Sequence, residues 1–225
     1  MDIGRKAGFP WISLCYAIEG TTRLFLGDWV KAAAQHDEAV AAGVSGTWRG
    51  TEAAHRLHGL AYVAPEEAAS YLEALRPGLP GKGAAHPSGA WMLAPGCVEA
   101  AALLGSRTVC AGLYPIWRQS QDEGGVVFWS FGLAEKLAGI AAVAADRWPD
   151  AERHFEEALR LAERLPHRVE QPEVRRWYAR MLLDRGASGD RERARALLTE
   201  ARAAYEEIGM PKHVEMTDAL VKEAA

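Results

Sequence analysis

Several residue types that mark particular classes of protein are scarce or missing in this chain of 225 residues. There is no asparagine, and the three cysteines, Cys15, Cys97 and Cys110, lie far apart. A zinc site or a disulfide framework needs closely spaced or even-numbered cysteines, so neither is expected. We therefore expect a reducing, cytoplasmic location and interpret all three cysteines as small buried apolar residues.

Long apolar runs and an excess of positive charge are also missing. No run of 18 apolar residues occurs, so the sequence predicts no membrane-spanning helix. The 26 basic residues are outnumbered by 30 acidic ones, which argues against a nucleic-acid-binding or membrane-surface protein. Even the span 147–212, which carries more than half of the basic residues, holds 13 acidic side chains against 14 basic ones. We interpret this span as a solvated surface of mixed charge.

Alanine, by contrast, is abundant and recurs at a regular spacing. In the stretch RWPDAERHFEEAL, a small residue, a large one and a second small one occupy Ala151, Phe155 and Ala158. Four further copies of this order begin at Ala32, Ala68, Val109 and Ala194. The intervals between the first members of successive copies are 36, 41, 42 and 43 residues. A period in this range is typical of stacked helix pairs.

Each copy of the spacing is preceded in the sequence by another predicted helical segment, and the two segments form one helix pair. Gly20 and Gly139 lie 12 residues before Ala32 and Ala151, where the lack of a side chain allows two helices to approach closely. A tryptophan three residues before each of these alanines is expected to open the second helix. The large position of the first copy is His36, which predicts that this repeat is partly exposed or capped by something absent.

These patterns predict an all-α fold, an α-solenoid of about five stacked antiparallel helix pairs that forms a single domain over residues 1–225. One helix pair cannot bury its apolar stripe alone, so neighbouring pairs share a core. The repeats over 132–165 and 172–209 match the pattern best. The Gly/Pro-rich break over 76–89 is interpreted as a connector, and residues 126–129 as a short extended segment.

The segment GIAAVAADRWPDAERHFEEAL resembles a tetratricopeptide repeat (TPR). The segments YARMLL, GDRERARALL and IGMPKHVE are similar to the C-terminal helical regions of bacterial multidomain adenylate or guanylate cyclases and of LuxR-type regulators, where such regions follow a signal-transducing ATPase module. The resemblance implies a non-enzymatic sensor or scaffold arm, either attached to a catalytic or DNA-binding domain or standing alone. TPR adaptors that clamp a chaperone's C-terminal carboxylate use two asparagines, so a clamp of that kind is excluded here.

A solenoid of this kind offers a concave face lined by the first helix of each pair, and we expect a protein or peptide partner there. The repeat register places five candidate residues on this face: Lys136, Ile140, Arg176, Arg180 and Leu183. The three cations would form a patch that accepts an acidic peptide or a carboxylate. The alternative is that Arg176 and Arg180 pair with Glu173 and Asp184 on their own helix.

No catalytic, cofactor or metal site is expected. His55 and His58, with Glu52 one turn away, form too weak a metal-ligand set. A rival hypothesis is a small-molecule binder or enzyme whose pocket is lined by tryptophans: Trp91, Trp117, Trp129 and Trp177. A third hypothesis is self-association, since the N-terminal end with Phe9, Trp11 and Ile12 lacks the polar surface of a capping repeat and is predicted to pack on another domain or a second copy.

Overall fold

The computed structural model describes residues 11–43, 50–81, 85–86, 88–128, 131–165 and 167–224. Their contacts divide them into two compact units, one with residues up to 24 and 28–116, the other with 25–27 and the residues from 117 on. The first unit is built from α1 (Ile12–Phe25), α2 (Trp29–Ala42), α3 (Thr51–Val63), α4 (Pro65–Leu75), a 3₁₀ turn (Arg76–Gly78), α5 (Ser88–Leu103) and α6 (Arg107–Gly112). Helix α7 (Tyr114–Asp122) crosses from the first unit to the second.

The second unit begins with a two-residue antiparallel ladder between β1 (Val127–Phe128) and β2 (Gly132–Leu133), with Val127 opposite Leu133. Five helices follow: α8 (Ala134–Ala144), α9 (Trp148–Arg164), α10 (Glu170–Arg185), α11 (Asp190–Ile208) and α12 (Pro211–Ala224). Each of them packs on the next, and α10 also contacts both α8 and α12. The even-numbered helices α8, α10 and α12 therefore lie side by side in one layer, which we call the first-helix layer.

The recurring small–large–small spacing marks the buried stripe of the helices that carry it. All five large positions are at most 2% exposed: His36, Leu72, Leu113, Phe155 and Leu198. The leading small residue is buried in every copy as well. The copy that begins at Val109 is irregular, because the break between α6 and α7 falls at its large position.

Phe155 of α9 shows what the spacing achieves. Its ring lies against the backbone of α8 at Gly139, where an added Cβ would sit 3.0 Å from two ring carbons. On α10, the ring of Tyr178 stacks on Phe155 with a centroid distance of 5.4 Å and an interplanar angle of 13°. One aromatic ring therefore joins its own helix pair to the next pair along the chain.

His36 occupies the same position in α2, and the expectation that it leaves its repeat partly exposed is wrong. Its side chain is 1% exposed and lies between two glycines, Gly20 of α1 and Gly59 of α3. A Cβ added at either glycine would come within 3.0 Å of the imidazole ring. The flat imidazole ring therefore fills the same kind of space in its repeat as the ring of Phe155 does in the later one. Its polar Nε2 lies 3.4 Å from Oγ1 of Thr21.

Helix α3 is the centre of the first unit and packs on α2, α4 and α5. Its contact with α5 includes a close approach at Gly96, where an added Cβ would lie 2.5 Å from the carbonyl oxygen of Ala54. Because that neighbour is backbone, it cannot turn away as a flexible side chain could. Gly96 therefore sets the distance between the two helices.

The all-α class predicted from the sequence is confirmed, and strand β1 of the two-residue ladder lies within the predicted extended segment, whereas β2 lies after it. Whether both units belong to one continuous domain stays a prediction. Among the described residues, no helix combines the length and the apolar character needed to cross a bilayer. The expectation of three buried cysteines is wrong for Cys15, which is exposed, whereas Cys97 and Cys110 are buried.

We predict that Gly96→Ala lowers the free energy of unfolding of the first unit by about 1–3 kcal/mol, because the new methyl group overlaps the backbone of Ala54. Gly112→Ala is the matched control, since Gly112 also lies in a helix of this unit but has no neighbour within 4 Å of the added Cβ. Urea unfolding of both variants is the measurement. Equal effects at the two positions would show that the α3–α5 distance is not set by Gly96.

Candidate functional site

Lys136 and Ile140, the predicted site residues on α8, lie inside the second unit. Lys136 is 2% exposed, and its Nζ donates a 2.8 Å hydrogen bond to Oε1 of Glu170 on α10. The other oxygen of Glu170 accepts a 2.9 Å hydrogen bond from the backbone N–H of Leu133, directly before α8 begins. Gly132 leaves the room for this carboxylate, because an added Cβ there would collide with it. The pair ties the start of α8 to the start of α10.

A second buried ionic cluster surrounds Arg176 on α10. Arg176 Nη2 donates a 2.8 Å hydrogen bond to Glu173, and its Nε donates to the hydroxyl oxygen of Tyr205 at 3.2 Å. Tyr205 in turn donates to Glu173 at 2.5 Å, and Nε2 of His213 on α12 lies 3.5 Å from the same carboxylate. Complete burial holds the pKa of Tyr205 well above its usual value. The cluster therefore joins α10, α11 and α12.

The last two predicted residues, Arg180 and Leu183, lie in the C-terminal half of α10. Arg180 is exposed and Leu183 is partly buried. Arg180 Nε donates a 3.0 Å hydrogen bond to Asp184, and its Nη1 lies 3.9 Å from Glu223 of α12. We call this group, in which only Leu183 is partly buried, the α10 edge: Arg180, Leu183, Asp184 and Glu223.

The structure does not show the open patch of three cations that the repeat register suggested. Lys136 and Arg176 are buried in neutralising pairs, and Ile140 is only 3% exposed. The physical reason is that an isolated buried cation is too costly, so each is matched by a carboxylate from the neighbouring turn or helix. The alternative pairing of Arg176 with Glu173 and of Arg180 with Asp184 is the one observed. Partner binding on this layer stays a prediction.

Sequence reasoning missed an ionic network that links α9, α10 and α11. Glu152 of α9 accepts hydrogen bonds from Arg185 at 2.7 Å and from Arg193 at 2.6 Å. Arg185 also donates to Asp190 at 2.7 Å, and the guanidinium of Arg193 lies 4.8 Å from the ring centroid of Tyr178. The hydrogen bond from Arg185 is the main reason that the pKa of Glu152 is lowered. Glu152 lies 33 and 41 residues from its two arginine partners, so no local spacing could reveal these contacts.

Buried histidines are the main polar feature of the first unit. His55 is fully buried and its Nδ1 is 2.8 Å from the carbonyl oxygen of Thr51, one turn earlier in α3. His58 lies 3.2 Å from Glu99 of α5, and that carboxylate also accepts a short hydrogen bond from Tyr62. The contacts of His58 and Tyr62 with Glu99 therefore join α3 to α5 through hydrogen bonds as well as through shape.

The weak metal-ligand set proposed for α3 is not brought together. Glu52 accepts a 2.9 Å hydrogen bond from Ser13, whereas His55 and His58 have the separate partners given above. Within the described residues, no three histidine, cysteine, aspartate or glutamate side chains are placed to hold one metal ion. His55 and His58 are at most 3% exposed, so both belong to the core of the first unit.

The tryptophans proposed to line a pocket are placed differently from one another. Trp117 and Trp177 are buried in the core, Trp91 is partly buried, and Trp129 lies outside the described residues. A groove of about 340 Å³ does occur at the turn between α11 and α12. Its lining contains no tryptophan: Tyr205, Glu206, Gly209, Met210, Pro211 and Val214.

Comparisons with protein-family models, with curated proteins and with solved structures found nothing that matches the chain. The site must therefore be judged from its chemistry. The buried ionic clusters hold helices together, and each carboxylate in them already accepts a hydrogen bond from the protein. The α10 edge, in contrast, offers a cation and an apolar side chain that a partner can reach.

We predict that stability falls as the pH drops below 6.5, because buried histidines stay neutral in the fold. Burial, aided by repulsion from the other buried histidines, lowers the pKa of His36 to about 3, and burial lowers that of His55 to about 4. The unfolded chain takes up these protons near pH 6.5, so stability is complete above that pH and is lost towards pH 4. Between neutral pH and pH 5.5, each of these two histidines lowers the free energy of unfolding by about 1.4 kcal/mol.

Urea unfolding between pH 7.5 and pH 5 measures this loss. His36→Leu, which introduces the residue found at this position in three other copies, should reduce the pH dependence by the contribution of one histidine. Gly96→Ala, which alters the same unit without removing a titratable group, serves as the control and should leave the pH dependence unchanged. An unaltered pH dependence in His36→Leu would show that this ring titrates alike in the folded and unfolded states.

Proposed function

We propose that this chain is a non-enzymatic protein-interaction and regulatory module built as a TPR-like α-solenoid. The observation that carries the proposal is the alternating layer structure of the second unit. There, a ring on a second helix contacts its own first helix and that of the next pair, while α10 contacts both α8 and α12. Arrays built in this way use the layer of first helices as a binding surface.

The α10 edge is where we place the partner. The ion pair between Arg180 and Asp184 is exposed, and exposed pairs of this kind contribute at most about 1 kcal/mol. A partner carboxylate can therefore replace Asp184 at little cost, and it gains a charge-assisted hydrogen bond from the guanidinium. Leu183 lies three residues after Arg180, beside it on the helix surface, and adds apolar contact area. An acidic segment with a neighbouring apolar side chain fits these two features.

The buried clusters support such a role by keeping the surface in one shape. The Lys136–Glu170 pair and the cluster around Arg176 each join successive first helices, so the layer does not depend on a partner to order it. A surface that is already ordered loses little conformational entropy on binding. By the resemblance of its sequence, we infer that the chain is the cytoplasmic sensor or scaffold arm of a bacterial signalling protein, and that binding biases an attached or associated catalytic or DNA-binding domain.

The Trp-lined pocket gains no support from the described residues, since Trp117 and Trp177 serve as core. An enzymatic or small-molecule role stays an untested alternative. The groove at the α11–α12 turn is lined mainly by apolar side chains, with Glu206 as its one charged residue. It lacks the convergent polar groups that orient a substrate.

We predict that Arg180→Glu combined with Leu183→Asp abolishes partner binding without unfolding the chain. The variant reverses the charge and removes the apolar contact, so the affinity of a purified partner should fall at least about tenfold. Candidate partners are proteins captured from source-cell lysate by the wild type, and each is then measured by calorimetry. Arg160→Glu on α9 is the control, since this arginine is also exposed but lies outside the first-helix layer.

The result against the proposal is equally clear. If every protein bound by the wild type is bound with the same affinity by the double variant, the α10 edge is not the binding surface. If the affinity falls equally in Arg160→Glu, the effect comes from net charge and not from the layer.

A further inference from the structure

Helix α1 is apolar on the side that faces away from its own unit. Its inward side is buried and includes Ala17, Gly20 and Leu24. On the opposite side, and just before the helix begins, lie five residues without charge: Trp11, Leu14, Cys15, Ile18 and Thr22. Trp11 is 38% and Ile18 is 43% exposed. We call these five residues the α1 stripe.

The spacing of the α1 stripe is that of a helix–helix seam. Trp11, Cys15, Ile18 and Thr22 follow one another at intervals of four, three and four residues, the alternation found along the contact line of paired helices. A helix that is apolar all round is normally buried on both sides. The α1 stripe therefore has the composition and the register of a surface that is covered by another helix.

The charges of α1 indicate which helix covers it. The helix contains one acidic and one basic residue, Glu19 and Arg23, which form an ion pair one turn apart on the same edge of the stripe. A twofold axis perpendicular to α1 places a second copy antiparallel and brings the same edges of the two helices together. Glu19 of each copy then faces Arg23 of the other, so the edge is complementary to itself.

We propose that the α1 stripe is the interface of an antiparallel homodimer, with Ile18 of one copy packed near Thr22 of the other. The proposal concerns a surface separate from the α10 edge and does not rest on the function proposed above. A contact between two helices of this length falls in the class of small, transient interfaces. The dimer is accordingly weak and dissociates on dilution.

The position of Cys15 gives the orientation of the dimer. Cys15 lies about five residues from the axis, so the two thiols are separated by about 15 Å along the helices in the antiparallel arrangement. In a parallel arrangement they would face each other. Cys97 and Cys110 are buried, and burial raises the pKa of both thiols to about 12, which leaves Cys15 as the reactive thiol of the folded chain.

The experiment is sedimentation of the full chain over a wide concentration range, combined with crosslinking through Cys15. We expect a monomer–dimer equilibrium and a crosslinked dimer with a long bis-maleimide, but no disulfide under mild oxidation. Ile18→Glu should weaken dimerisation at least about tenfold, because it buries an unpaired carboxylate in the seam. Val30→Glu is the matched control, since Val30 is 83% exposed on α2 and lies outside the stripe.

A pair of charge reversals tests the reciprocal contact. Glu19→Arg alone and Arg23→Glu alone should each weaken the dimer, and the double variant should restore it, while circular dichroism shows that all variants remain folded. A strict monomer at the highest concentration overturns the proposal. So does a dimer that survives Ile18→Glu, and a rapid Cys15 disulfide would replace the antiparallel arrangement with a parallel one.

Discussion

The structure depends on one kind of contact, a flat ring pressed against the backbone of a neighbouring helix at a glycine. Phe155 makes it at Gly139, and His36 makes it at both Gly20 and Gly59. With no side chain on the glycine, two helices approach until the ring alone fills the space between them, which maximises dispersion contacts for both. The small residues before and after each ring, such as Ala151 and Ala158, allow this approach along the rest of the helix.

Charge reinforces the same helix contacts from the inside. Glu170 and Glu173 are carboxylates that would be unfavourable in a core if they were alone, yet each is neutralised by a buried cation from the same or a neighbouring helix. Such pairs add little net stability compared with apolar side chains of the same volume. What they provide is geometry, because a half-satisfied cluster is costly and therefore resists any displacement of one helix along another.

Much of the fold could be predicted from the sequence because its determinants are local. The spacing of Ala151, Phe155 and Ala158 and the glycine 12 residues earlier both follow from the helical repeat, and Trp29 and Trp148 open the helices as expected. The site was harder, because burial depends on what packs from distant parts of the chain. Lys136 and Arg176 have the register of a binding face, but their carboxylate partners at Glu170 and Glu173 convert them into core residues. His36 was misjudged for the related reason that its two flanking glycines lie 39 residues apart in the sequence.

The distribution of cysteine makes only one of the two units reactive towards thiol reagents. All three thiols belong to the first unit, and two of them are sealed in its core at Cys97 and Cys110. Alkylation of these two residues can occur only after the first unit opens, so the rate of thiol modification reports the opening of that unit. The second unit has no cysteine, so its opening does not change the reaction with the same reagent. Alkylation followed by mass measurement can thus distinguish opening of the first unit from opening of the second unit alone, without any introduced label.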